Sequence, residues 1–377
     1  MIDKIVLFPY YAVLKIRNTL FDKGIRKIRS AEVPVISVGN IAVGGTGKTP
    51  HTEMILRELL ASEEWGKKRI AVLSRGYKRE SRGFQQVVVG GSAAMFGDEP
   101  LQIKKKFPDV TVAVDKDRIE GCHFLVHPEE LQTARGGRKC WDKEMGPSDI
   151  IILDDAFQYR KLAADLNIVL VDYNHPLHKD HLMPLGRLRD LPERIGEADV
   201  IIVTKCPQDI DNWQKTVWTE TLGIRDYSTM TCTGTSAGGR TQYVFFTYIR
   251  YCPLKPVFEN ADCRYIYSKR MILFSGIAKD RPLRNYLSDK YKIVRRMGFP
   301  DHHRFTWGDF RKIQSAVNRW PTAAVATTEK DAQRVLDYNG LPLMLRERML
   351  MIPIRVEFVT EEEHLIFRNK LLSINKI

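Results

Sequence analysis

Short apolar runs broken by polar, glycine-containing stretches recur through the first half of the chain. The runs Val35 to Val38, Ile70 to Leu73, Gln86 to Val89, Val110 to Val114, Ile150 to Leu153, Asn167 to Val171 and Asp199 to Thr204 are rich in β-branched residues and read as strands. Helical patterns separate them. After the first run, Ile55, Leu56, Leu59 and Leu60 fall on one helix face. This alternation predicts an α/β fold with a parallel, doubly wound sheet. Beyond residue 206 the rhythm stops. Thr241 to Tyr251 is aromatic and β-branched and reads as a hairpin or ribbon strand, placed to act as a hinge between domains. Met271 to Phe274 then opens a smaller α/β unit, and Ala323 to Ala326 supplies another of its strands. Thr328 is expected to cap a helix that starts Glu329-Lys330-Asp331.

The N-terminus has a different pattern. Residues 5–14 are nearly all apolar. Ten residues are too few to cross a hydrocarbon core of about 30 Å. No small-residue cleavage site follows, so a signal peptide is not expected. Pro9 is expected at a helix start, with Ala12, Ile16 and Leu20 on a shared face. Residues 1–30 hold seven Lys/Arg against two Asp. An apolar face with a basic flank suits a helix lying on an anionic membrane, or else packed on its own domain.

Composition narrows the picture only slightly. Hydrophobic content of 44% and charged content of 28% are ordinary for a globular protein. The net charge of +13 calls for an anionic partner: a membrane surface, nucleic acid or a phosphorylated substrate. The apolar N-terminal run favours the membrane and argues against a nucleic-acid-binding ATPase. Six scattered cysteines without a C-x-x-C pair read as reduced thiols.

The candidate chemistry starts where the first strand ends. Ala42-Val43-Gly44-Gly45-Thr46-Gly47-Lys48-Thr49 forms a phosphate-binding loop, with Ala42 where the usual pattern has glycine. Loop amides and the following helix N-terminus would cradle phosphate. Lys48 would reach the β- and γ-phosphates of ATP, and Thr49 would ligate Mg²⁺. The run Ile150 to Leu153 ends in Asp154-Asp155, a Walker B pattern whose aspartate meets that Mg²⁺. Arg75 and Tyr77 follow the second strand and lie where an open α/β sheet binds substrates. Asp98-Glu99, in a Gly…Pro loop, are candidates for base and metal work. A P-loop switch or metal-insertion NTPase is the alternative. It is weakened because Thr204-Lys205-Cys206-Pro207 lacks the guanine-reading aspartate.

The ordered motifs ISVGNIAVGGTGKTP, SRGY, GDEP, ILDDAFQ, LNIVLVD, VIIVTK, FSGIA, FPDHHRF and TTEKDA resemble the tetraacyldisaccharide 4'-kinase family, from about residue 5 to residue 335. The resemblance implies transfer of the ATP γ-phosphate to the 4'-hydroxyl of a lipid A disaccharide precursor. It implies Mg²⁺ as well, and a peripheral seat on the cytoplasmic face of the inner membrane. It makes Asp98 the general base, assisted by His302. Glu99, Asp154 and Asp155 then join Thr49 in the metal and nucleotide cluster, and Arg75, Tyr77, Arg118 and Arg189 face the lipid head group. No nucleic acid and no obligate protein partner are expected. The implied domains are a membrane-associating helix at 1–30, a P-loop kinase domain at 31–205, a ribbon hinge and insert at 206–268, and a closing domain at 269–377. The family usually reads DDGFQH where this chain has Ala156 and Tyr159, and the insert Thr233 to Arg240 matches no motif.

Overall fold

In the computed structural model, residues 2–77, 79–132, 145–277, 280–301 and 303–375 are described. Their strands form two sheets. The larger takes β1 (Val35–Asn40), β2 (Ile70–Ser74), β3 (Gln85–Gln86), β4 (Thr111–Val114), β5 (Ile150–Asp154), β6 (Leu166–Asp172), β7 (Val200–Thr204), β8 (Arg225–Ser228), β9 (Thr233–Thr235) and β10 (Thr241–Tyr251). Its order is β3-β4-β2-β5-β1-β6-β7-β10-β9-β8. From β4 through to β10 every pairing is parallel. The strands β1, β2, β5 and β7 are buried along their whole length, as expected of parallel strands covered on both faces. Helices α1 (Ile2–Asp22), α2 (Lys48–Leu60), α3 (Ala93–Phe96), α4 (Asp98–Lys106), α5 (Arg118–Val126) and α6 (Asn212–Thr221) precede or separate these strands.

The second sheet contains β11 (Lys255–Pro256), β12 (Arg270–Ser275), β13 (Lys292–Gly298), β14 (Ala324–Thr328) and β15 (Met349–Ile352), ordered β11-β15-β14-β12-β13. Helices α7 (Arg281–Ser288), α8 (Trp307–Arg319), α9 (Glu329–Leu336) and α10 (Leu343–Arg346) belong to it. Phe274, Phe310, Ile313 and Val325 form its own core. The chain then returns to the first sheet: β16 (Ile354–Phe358) pairs antiparallel with β10, and α11 (Glu361–Leu372) follows. Phe367 and Leu371 of α11 join the core of the large sheet beside Phe245.

Sheet membership therefore divides the chain differently from the expected partition. Thr241 to Tyr251 is an integral strand, parallel to β7, because Val244, Phe245 and Phe246 are fully buried within the large sheet. The insert around residues 233–240 closes the hairpin between β9 and β10. Residues 354–372 lie on the first unit, outside the smaller one. Pro9 is also displaced from its expected place, lying inside α1. Leu7, Leu14 and Phe21 form the packed face of α1, while Ile16 is 61% exposed. The helix therefore carries a packed apolar row through Leu7, Leu14 and Phe21 and leaves the Ile16 side of the expected apolar face exposed.

Candidate phosphoryl-transfer site

The site lies at the carboxyl ends of β1, β2 and β5. Register places Asp154 beside Val38, so the acidic end of β5 sits next to the loop that leaves β1. Asn40, the last residue of β1, is fully buried and donates to Thr46 Oγ1 at 2.7 Å, pinning the loop's far side. The loop's near side is paired with residues 187–189: Val43 N–H donates to the Arg187 carbonyl at 2.7 Å, and Arg189 N–H donates to that of Ile41 at 2.8 Å. Gly47 caps α2 with φ 89°, a left-handed conformation that disfavours a β-carbon. Gly44 and Gly45 are exposed, leaving the cradle open to a ligand.

Lys48 Nζ stands 3.8 Å from Asp155 Oδ1. Arg189 grips the same carboxylate with Nη1 and Nη2 at 3.1 and 2.7 Å and also donates to Asn40 Oδ1. Burial alone would raise the Asp155 carboxyl. The Arg189 hydrogen bonds and the Lys48 charge outweigh that and hold it below its ordinary range. Arg118 is buried, with its Nη2 directed at the Asp155 carbonyl at 3.4 Å. Burial and the neighbouring Arg75 charge lower its pKa, partly offset by Asp155 and Asp154.

Asp154 differs from its neighbour. It is 1% exposed, accepts one hydrogen bond from Ser74 Oγ at 3.3 Å, and leaves Oδ1 buried without a partner. Burial pushes its pKa up, and the Glu99 and Asp155 charges add to the rise. An orphaned, crowded carboxylate oxygen fits a hard divalent cation, which takes oxygen donors. Thr49, in the first turn of α2, is buried and supplies a hydroxyl of the right type.

The SRGY and GDEP turns meet backbone to backbone. Gly97, at φ 92°, has its β-position 3.4 Å from Gly76 Cα and 3.5 Å from the Tyr77 carbonyl. That close approach brings Arg75 and Tyr77, both exposed, to the edge of Asp98. Asp98 and Glu99 open α4, and they face α9 of the smaller unit. Arg334 Nε donates to Asp98 Oδ2 at 2.9 Å, and Lys330 Nζ lies 3.4 Å from Glu99 and 3.7 Å from Asp301. Lys106, at the other end of α4, bridges Glu53 and Glu329, each at 2.7 Å.

His302 lies outside the described residues. Its neighbour His303 is held within the smaller unit by Asp309, at 2.9 Å, and by stacking on Phe299. Thr328 does cap α9, accepting from Asp331 N–H at 3.1 Å. Tyr159 donates to Asp117 Oδ1 at 2.6 Å, and burial with that bond pushes its hydroxyl up to about 12. Lys205 forms an ion pair with Asp172 at 2.8 Å. Sequence reading missed Asn40, Asp331 and Arg334. Asn40 stood inside a quoted motif, but its role depends on a loop folding back over it. Arg334 lies beyond the TTEKDA motif, and only helix periodicity from Asp331 relates the two.

A P-loop and a neighbouring aspartate pair at the carboxyl end of a parallel sheet, faced by a second α/β unit, define a P-loop phosphotransferase. The sequence matches the family described as tetraacyldisaccharide-1-P 4'-kinase over residues 4–372. The chain belongs to that family. The tetraacyldisaccharide 4'-kinase of Phocaeicola vulgatus is 37% identical over 94% of this chain and 89% of its own length. That of Porphyromonas gingivalis is 35% identical over 97% and 94%. Among solved structures, the "apo" form of LpxK from Aquifex aeolicus in complex with ATP superposes with a TM-score of 0.67 at 28% identity, covering 98% of this chain and 99% of that one.

Proposed function

We propose that this chain transfers the γ-phosphoryl group of ATP to the 4'-hydroxyl of a tetraacylated glucosamine disaccharide 1-phosphate, the step that makes the lipid A precursor lipid IVA. Family membership supports the reaction. The observation that carries the reading within this chain is Asp98. It opens α4 next to Glu99, whose charge bears on Asp154, and pairs across the two units with Arg334; in this reading an acceptor hydroxyl entering between the units meets it. Phosphoryl transfer asks the protein mainly for positioning and charge neutralisation. Lys48, the amides of residues 43–49 and the N-terminus of α2 supply positive potential for the β- and γ-phosphates. A Mg²⁺ ion held by Thr49 and Asp154, with Asp155 and Glu99 alongside, would neutralise the charge that develops on the phosphate oxygens. Arg189 and Arg118 fix Asp155, while Arg75 and Tyr77 line the entrance, where a phosphorylated sugar head group would pass.

In this reading Asp98 orients the acceptor hydroxyl and, with His302, takes its proton. The smaller unit closes over the site about the two chain crossings at Cys252 and Pro353, which share a backbone hydrogen bond of 2.8 Å. The chain works as a peripheral protein on the cytoplasmic face of the inner membrane, where a multi-acyl substrate stays embedded. In the test, label is followed from γ-labelled ATP into the lipid in detergent micelles. Asp98→Asn and His302→Ala are each expected to lower kcat by about 10²–10⁴-fold, and the double variant to fall little further. Additive losses, or an Asp98→Asn enzyme of undiminished kcat, would refute the assignment.

A further inference from the structure

Asp331 and Arg334 form a buried relay that ends on Asp98. Asp331 is fully buried in the first turn of α9. Its Oδ2 accepts from the Gly276 amide at 2.8 Å and from Thr328 Oγ1 at 2.7 Å. Its Oδ1 accepts from Arg334 Nη1 at 2.9 Å. Arg334 turns its other donors outward, Nε and Nη2 reaching Asp98 Oδ2 at 2.9 and 2.5 Å. The Arg334 side chain is 6% exposed and that of Asp98 14%. One guanidinium thus joins the backbone turn after β12 to the first residue of α4, across the two units.

We infer that Arg334 is a positioning residue for phosphoryl transfer, setting the orientation of the Asp98 carboxylate when α9 lies against α4. The inference rests on the reading of Asp98 as the group that meets the acceptor hydroxyl. A guanidinium is planar and presents its donors in a fixed fork, so holding one carboxylate on Asp331 dictates where the second must sit. Two donors on Oδ2 fix the rotation of the Asp98 side chain and therefore the direction of Oδ1. The Asp331 end is rigid, being tied to the Gly276 amide and the Thr328 cap. Arg334 consequently aligns the carboxylate when the two units meet, which couples alignment of the acceptor's partner to contact between them. Two further ion pairs between α4 and α9, Lys330 with Glu99 and Lys106 with Glu329, run through lysine ammonium groups without that directional constraint.

The test measures kcat and both KM values of the full-length enzyme in mixed micelles, together with the melting temperature. The variants are Arg334→Ala, Arg334→Lys, Asp98→Asn and Arg334→Ala with Asp98→Asn. Misplacing a reacting group by about 1 Å costs about 10²-fold. Arg334→Ala is therefore expected to lower kcat by about 10–100-fold with KM for ATP within about threefold. Arg334→Lys keeps the charge but loses the fork, and its kcat should still fall about tenfold at a near-normal melting temperature. Added guanidine should partly restore Arg334→Ala but not Arg334→Lys. The double variant should lie within about threefold of Asp98→Asn alone. Arg334→Ala and Arg334→Lys with unchanged or raised kcat, while Asp98→Asn is inactive, would overturn the inference and leave the function intact. A lowered melting temperature and raised KM values with kcat kept would mean that Arg334 only joins the units, and would likewise overturn it. An active Asp98→Asn would instead overturn the reading of Asp98 itself.

Discussion

His51 sits in the first turn of α2, where Nδ1 meets the Gly47 carbonyl at 2.7 Å and Nε2 meets Thr247 Oγ1 at 3.0 Å. It ties the end of the P-loop to β10. Burial lowers its pKa to about 4, with the Lys205 charge acting in the same direction against the Gly47 hydrogen bond. The unfolded chain therefore binds a proton near pH 6.5 that the folded protein refuses until about pH 4. Stability from this group is complete above pH 6.5 and is lost as pH falls toward 4, by on the order of 3 kcal/mol. Urea unfolding from pH 7 to pH 4.5 should show a smaller loss in His51→Gln than in the parent, and equal slopes would contradict the assignment. Local motifs made Lys48, Thr49, Asp154 and Asp155 legible in the sequence, because loop, helix start and strand end are all encoded within a few residues. His51 and Asn40 were not singled out, since their partners, Thr247 and Arg189, are far away in the chain.

Among the elements, α11 decides how the chain is divided. Its Glu363 and Lys215 of α6 form an ion pair with both side chains almost fully buried, and Glu363 also accepts from the Phe246 amide at 2.9 Å. Removing one partner of such a pair strands the other's charge, at a cost of about 3–5 kcal/mol. Glu363→Ala should lose about that much in denaturant unfolding of the large sheet, and a change below about 1 kcal/mol would mean that Lys215 finds another partner. Except for β3, the strands from β1 to β7 are legible because parallel strands carry continuous apolar runs; β3 is only Gln85–Gln86, antiparallel to β4, and the expected strand Gln86 to Val89 does not continue past Gln86. The run that forms β10 reads as a strand, but its pattern alone suits a hinge as well as a sheet. The aromatic run predicts burial, yet cannot say which sheet supplies it. Likewise, α11 follows the smaller unit in sequence but packs on Phe245 and β16, a long-range contact that no local pattern encodes.

For the whole molecule, α1 carries both a packed and an exposed apolar side, and the basic residues follow it. Leu7, Leu14 and Phe21 are buried, and Asn18 and Arg17 hold Asp190 beside the Arg189 loop. Phe8, Val13, Ile16, Ile25 and Ile28 remain exposed, and among the described residues no helix is long and apolar enough to cross a membrane. This arrangement fits a helix that rests on lipid while bracing the site behind it. Burying one such side chain in lipid is worth about 1.5–3 kcal/mol. Phe8→Asp with Ile16→Asp should therefore weaken binding to phosphatidylglycerol vesicles at least about tenfold, without changing ATP affinity. Unaltered vesicle binding would remove α1 from the membrane. The most direct test of the account is phosphorus NMR and mass analysis of the product formed from ATP and a tetraacyl disaccharide 1-phosphate. The expected product is a lipid that has gained one phosphate, on the 4'-oxygen, with equimolar ADP. ADP and free phosphate with unmodified lipid, or phosphate on another oxygen, would contradict it.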